Sequence, residues 1–284
     1  MECYTHKILT QRKMLKMLNL TDKKLFVFDM DGTIYLGDKV FPKAVRLIKR
    51  LRAEGRRVLF FTNNASHSPE FYEKKLVRLG FEPRENEIMT SGDVTVAFLK
   101  KHRAGKNVYL LGTPDLIDSF KKADIPLSDG ADPKSGDIVI TSFDTTLTYD
   151  KLSRACRLIM NGSEYLSTHP DFNCPTEDGF IPDSGAISAF VTASTGVTPR
   201  YFGKPYSETM DMICSVTGVD KNDVAVVGDR LYTDIAIGKR SGVTAILVLT
   251  GETSEKDLIG LERDAMPDIV LDDAEALEKT IFSN

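Results

Sequence analysis

The sequence predicts an α/β fold: a doubly wound, Rossmann-like parallel sheet with a smaller α/β domain inserted into it. Three observations carry this. Short apolar runs rich in Val, Ile, Leu and Phe recur at LFVFD (25–29), VLFFTNN (58–64), VAVVGD (224–229) and AILVLTG (245–251). Each is closed by polar residues or glycine, as strands buried on both faces of a parallel sheet are. Segments of helical spacing lie between them, and the middle of the chain repeats the alternation with strands of its own.

The elements follow in order. The first 24 residues are a basic, amphipathic extension containing Met14 and Met17, to which no function is assigned. FPKAVRLIKRLRAEG (41–55) sets Ala44, Leu47, Ile48 and Leu51 on one helical stripe and stops at Gly55. SPEFYEKKLVRLG (68–80) opens on a serine cap and a proline and stops at Gly80. In the middle, VYLLGT (108–113), DIVITSF (137–143) and EYLSTHPD (164–171) read as strands, with helices near 115–122 and 150–160. Polar, Gly/Pro-rich joints at TSGD (90–93) and CPTEDGFIPDSGA (174–186) bracket this block. The expected domains are therefore a core of residues 25–91 and 182–284 and an insert of residues 92–181.

Bulk properties exclude several classes. With 284 residues, 42% hydrophobic and 27% charged, the chain is neither disordered nor fibrous. A formal charge of -4 gives no global attraction to nucleic acid or to an acidic membrane surface, so phosphate recognition has to be local. No apolar run reaches the roughly 18 residues that a spanning helix needs, and the opening lacks the apolar core of a secretory signal, so a cytoplasmic protein is expected. Cys3, Cys156, Cys174 and Cys214 stand far apart with no CxxC pair, which suggests neither zinc nor a disulfide framework.

In an open parallel sheet, ligands bind at the carboxyl ends of the strands. The polar residues there are Asp29 and Asp31, Thr62 and Asn63, and Asp229 followed by Asp234. Adjacent carboxylates repel and take up protons unless a cation neutralises them, and a hard divalent ion such as Mg²⁺ prefers a few such oxygens plus waters and an anionic substrate. An isolated DG pair is more simply a capped turn with Gly32 supplying backbone freedom. That reading has to be invoked twice here, because GDRLYTD places Asp229 after a second buried strand and Asp234 five residues later.

These residues fall into a known order. DMDGT (29–33), FTNN (61–64), Lys204 in GKP, and GDRLYTD (228–234) resemble the four motifs of the haloacid dehalogenase superfamily of phosphatases. DGTIYLGD, THPD, PTEDG, DSGAI and TGETS fit its NagD-like, 4-nitrophenylphosphatase branch, which carries an α/β cap, over nearly everything after residue 24. The resemblance implies that Asp29 is the nucleophile, forming an aspartyl-phosphate. It implies that Asp31 gives its carbonyl to the metal and its side chain to acid and base work, and that Asp229 completes the Mg²⁺ ligands with Asp29 and Asp31. Asp234 then holds a metal-bound water or orients Lys204. Thr62, the amides of Asn63 and Gly32, and Lys204 hold the phosphoryl oxygens.

The insert then corresponds to the cap, which excludes water and selects the leaving group. Candidate selecting residues are Asp144, His169, Asp171 and Asn173 at its strand ends. His169 also reads as a hydrogen-bonded structural or surface histidine, and Asp171 as a turn cap.

The expected function is a Mg²⁺-dependent phosphatase of small phosphorylated metabolites: sugar phosphates, nucleoside monophosphates and 4-nitrophenyl phosphate. A phosphotransferase or mutase using the same aspartate, and a non-catalytic phospho-switch, are the alternatives. No nucleic-acid or membrane partner is expected, and a homodimer through cap surfaces stays open.

Overall fold

The computed structural model describes residues 20–132, 134–176 and 179–282, so most of the expected extension, residues 1–24, lies outside the described residues. The chain divides into two compact units. The first comprises residues up to Phe60, Leu79–Glu82 and Cys214 onward; the second comprises Phe61–Arg78 and Pro83–Ile213. These limits differ from the expected 92–181 insert. Hydrogen bonds within the second unit explain the difference: Ser91 Oγ donates to the Asn63 carbonyl, Thr113 Oγ1 to that of Ser66, and Lys204 N to Asn63 Oδ1, so segments on both sides of 92 and 181 are tied together.

In the first unit, the parallel strands Ile269–Leu271, Thr244–Val248, Val224–Gly228, Leu25–Phe28 and Arg57–Thr62 lie side by side in that order. Leu25 pairs with both Val224 and Arg57, and every residue of Leu25–Phe28 is buried, as the unbroken apolar run requires. Phe61 and Thr62, the last residues of Arg57–Thr62, belong to the second unit. Helix Ala44–Ala53 buries Ala44, Leu47, Ile48 and Leu51, the four residues of the expected stripe. A small antiparallel pair, Tyr35–Leu36 with Lys39–Val40, follows the DMDGT segment.

The second unit has its own parallel sheet, in the order Arg200–Tyr201, Glu164–Ser167, Ile138–Thr141 and Val108–Leu111. Helices Pro114–Lys122 and Tyr149–Met160 stand where the spacing placed them. The two joints turn out to be structured. TSGD is a helix start, in which Thr90 and Asp93 form a reciprocal capping box for helix Ser91–His102. The second joint contains an antiparallel hairpin, Asn173–Thr176 with Gly179–Pro182, whose second strand is exposed throughout and whose first is half-buried at Cys174 and Pro175.

Candidate active site

Two of the acidic residues of the first unit converge because they follow adjacent buried strands, and a third because it lies in the turn after the second of these. Asp29 comes directly after Leu25–Phe28, its amide held by the Val227 carbonyl at 2.9 Å. Asp229 comes directly after Val224–Gly228, and Asp234 lies in a π-helical turn, Leu231–Ile235. Turns of this kind are rare and recur at functional sites. Asp29, Asp229 and Asp234 bring carboxylate oxygens within 4.8 Å of one another. Asp229 and Asp234 are buried, and Asp29 is half-buried. Asp31 is also half-buried, with the Tyr35 hydroxyl 3.4 Å from its Oδ2.

Burial, and then the neighbouring Asp234 charge, push the Asp229 carboxyl up to about 6, against the pull of Arg230 and two hydrogen bonds. Thr33 Oγ1 donates to Asp229 Oδ1 at 3.0 Å and the Glu252 amide to Oδ2 at 2.8 Å. A buried group of hard oxygens that repel one another suits a hard divalent cation, so the residues present fit Mg²⁺. Two glycines make the close packing feasible. Gly32 has φ +90°, and a Cβ there would come 2.5 Å from Asp229 Oδ2; a Cβ on Gly251 would strike the same oxygen. Thr250 Oγ1 donates to the Gly32 carbonyl at 2.7 Å, fastening the 250–252 loop beneath the DMDGT turn.

In the second unit, Thr62, Asn63 and Lys204 are all buried. Thr62 Oγ1 accepts from the Asn64 amide at 3.1 Å, which leaves its own proton to donate elsewhere. The Lys204 ammonium lies 3.3 Å from the Phe61 carbonyl and 5.3 Å from the centre of the Phe61 ring.

Of the four candidate selecting residues, His169 and Asp171 lie close together and Asp144 and Asn173 lie in other surroundings. Asp144 is buried, accepting from Thr146 and pairing with Lys151 Nζ at 2.7 Å. His169 is 0% exposed, its Nε2 2.8 Å from Asp183 Oδ1 and its Nδ1 2.9 Å from Thr168 Oγ1. Asp171 is buried against Asn63, and Asn173 is exposed at the start of the hairpin. His169, Asp171 and Asp183 also bring ligand-type atoms within 4.8 Å of one another; His169 and Asp183 are hydrogen-bonded to each other, and Asp171 accepts from Asn63.

A family model described as haloacid dehalogenase-like hydrolase matches residues 26–126, and a second, HAD-hydrolase-like, matches residues 201–277. The acid sugar phosphatase of Staphylococcus haemolyticus is 34% identical over 244 residues, covering 86% of this chain and 91% of that protein. The chain belongs to the haloacid dehalogenase-like hydrolases. Among solved structures, the 4-nitrophenylphosphatase of Thermotoga maritima aligns with a TM-score of 0.87 at 40% identity, covering 93% of this chain and 99% of that one. A glycerol phosphate phosphatase from Mycobacterium tuberculosis, solved with magnesium, aligns with a TM-score of 0.83 at 28% identity, covering 91% and 77%. This member of the haloacid dehalogenase-like hydrolases is a NagD-like phosphatase, a phosphoric monoester hydrolase.

Several residues around the hydrolase's acidic group had no signal that pattern reading could use. Glu252 acts on Asp229 through its backbone amide, which any residue carries, and Thr33 reads as part of a turn. TGETS was visible as a family segment without a role; its contact with Asp229 appears only in three dimensions. Asp183, the partner of His169, is hidden as the cap of helix Ser184–Thr195.

Proposed function

We propose that this hydrolase uses Mg²⁺ and an aspartyl-phosphate to hydrolyse small soluble phosphomonoesters, sugar phosphates foremost, in the cytoplasm. The observation that carries the reading is the convergence of Asp29, Asp229 and Asp234 at the ends of two adjacent buried strands. The sugar phosphates are supported by the name of the Staphylococcus haemolyticus relative, and the metal by the magnesium in the Mycobacterium tuberculosis neighbour.

Asp29, Asp229 and the Asp31 carbonyl would hold the cation, with Asp234 behind them. When bound, the ion neutralises these carboxylates and the charge on the phosphoryl oxygens. Asp29 attacks phosphorus through a carboxylate oxygen as the bond to the leaving oxygen breaks, and Asp31 gives that oxygen its proton. Water then attacks the phosphorus of the aspartyl-phosphate and returns a proton to Asp31, releasing phosphate and restoring Asp29. Thr62, the Asn63 amide and the Lys204 ammonium donate to the phosphoryl oxygens, whereas the Gly32 amide, expected from the sequence to join them, gives its one N–H to the Tyr35 carbonyl at 2.8 Å. Residues 92–181 act as the cap that selects the leaving group, and Asn173, the exposed one of the four candidates, is the first to vary.

Phosphate release from a panel of sugar phosphates, nucleotides and 4-nitrophenyl phosphate tests this, with Mg²⁺ or with EDTA. Turnover that needs the metal and favours sugar phosphates is expected. Undiminished turnover in EDTA would remove the metal from the reading, and transfer to added sugar alcohols in place of water would make the enzyme a phosphotransferase.

A further inference from the structure

We propose that Asp171 and the Asn63 side chain are positioning residues that set the place of the Lys204 ammonium. This rests on the reading of Lys204 as a donor to phosphoryl oxygens. Asn63 and Lys204 are 141 residues apart, yet they pair as two amides do: Lys204 N donates to Asn63 Oδ1 at 2.8 Å, and Asn63 Nδ2 donates to the Lys204 carbonyl at 2.9 Å. The same Nδ2 faces both oxygens of Asp171, each at 3.2 Å. These partners fix the orientation of the amide. Turned over, it would aim an N–H at the Lys204 N–H and a carbonyl at a carboxylate.

All three side chains are buried, so each contact acts in a medium where hydrogen bonds are strong and slack is small. The carboxylate polarises the amide it receives, which strengthens Oδ1 as the acceptor for Lys204. The two ends of Lys204 are registered on the same short segment: its backbone on Asn63, and its ammonium on the Phe61 carbonyl and ring. Gly203 shows how tight this is, since it has φ +72° and a Cβ there would come 2.7 Å from Asn63 Oδ1. Asp171 is anchored in turn, its carbonyl accepting from the Gly185 amide at 2.7 Å in the first turn of helix Ser184–Thr195. A line of contacts thus runs from that helix through Asp171 and Asn63 to Lys204. Asp171, a candidate for meeting substrate on sequence grounds, acts instead through the lysine.

A positioning role changes kcat for every substrate alike, whereas a substrate contact changes KM according to the leaving group. Asp171→Ala is expected to lower kcat about 10- to 100-fold, the usual cost of removing such a supporting group. KM should stay within about threefold, and the loss should be the same for sugar phosphates and 4-nitrophenyl phosphate. Asp171→Asn is expected to restore most of kcat, because its amide oxygen still accepts from Asn63. In a Lys204→Ala background, Asp171→Ala should cost little more, since the group it places is gone.

Losses that depend on the leaving group, or that multiply in the double variant, would overturn the role. If Asp171→Ala fails to fold by circular dichroism, Asn63→Ala breaks the same line from the other side and is put through the same cycle, with the same outcomes deciding. A native chain without phosphatase turnover would overturn the hydrolase reading and this role with it; an active native chain with multiplying losses overturns this role alone.

Discussion

At the scale of single residues, the acidic group makes Asp29 the first position to alter. Asp29→Asn keeps the shape of the side chain and the backbone hydrogen bond to Val227, and removes the charge that attacks phosphorus. Turnover is expected to fall at least about a thousandfold in phosphate-release assays. The variant is expected to keep the native circular dichroism spectrum, so that lost turnover reports on chemistry and not on folding. Retained turnover would remove Asp29 from the mechanism. Gly251 offers a different test at the same scale. Alanine there would place a methyl group against the Asp229 carboxylate and the Gly32 carbonyl. Gly251→Ala is expected to weaken Mg²⁺ binding, measured by calorimetry, about tenfold or more, as disturbing the support of a ligand usually does. Unchanged affinity would mean that the 250–252 loop does not hold Asp229 in place.

At the scale of elements, what could be read in advance depended on length and pattern. Helix Ala44–Ala53 runs for ten residues with its apolar stripe on one face, and the four residues of that stripe are the four it buries. Leu47→Ala is accordingly expected to cost about 2–5 kcal/mol in urea denaturation while leaving kcat nearly unchanged, the usual range for emptying a fully packed leucine site. Strand Ile269–Leu271 is only three residues long, too short for any periodicity, and neither it nor helix Ala274–Phe282 stood out from the sequence. The joint TSGD looked like a linker because its residues are small and polar. The same residues make a capping box, where Thr90 and Asp93 satisfy the first amides of a helix. Asp29 and Asp229 were legible for a similar physical reason, since each follows a buried run and a charge at that place needs an explanation. The surroundings of His169 were not, because Asp183 and Thr168 meet its ring only after the chain has folded.

At the scale of the whole molecule, the acidic group links stability to pH and to metal. Asp229, pushed up to about 6 chiefly by burial and next by Asp234, keeps its proton in the folded chain at pH values where the unfolded chain has lost it. An aspartate in the unfolded chain titrates near about 4. Between about 4 and about 6 the folded state therefore binds more protons than the unfolded one, so this group lowers stability as pH rises, and its cost is complete above the folded value. Other carboxylates work in the opposite sense: Glu70, held down to about 2 by Lys122 and by its own hydrogen bonds, adds stability as pH rises through the range where unfolded glutamate titrates. The net curve mixes these contributions, and the difference between the native chain and Asp229→Asn isolates the first. In EDTA, the melting temperature of Asp229→Asn minus that of the native chain is expected to grow from pH about 4 to about 6 and then level off. Added Mg²⁺ should stabilise the native chain more above pH about 6 than near about 4, because a cation binds the ionised carboxylates and must displace a proton at lower pH. A difference that stays flat with pH, or Mg²⁺ stabilisation that is as large in acid as at neutrality, would show that Asp229 is ionised throughout and that its charge is balanced by something other than a metal.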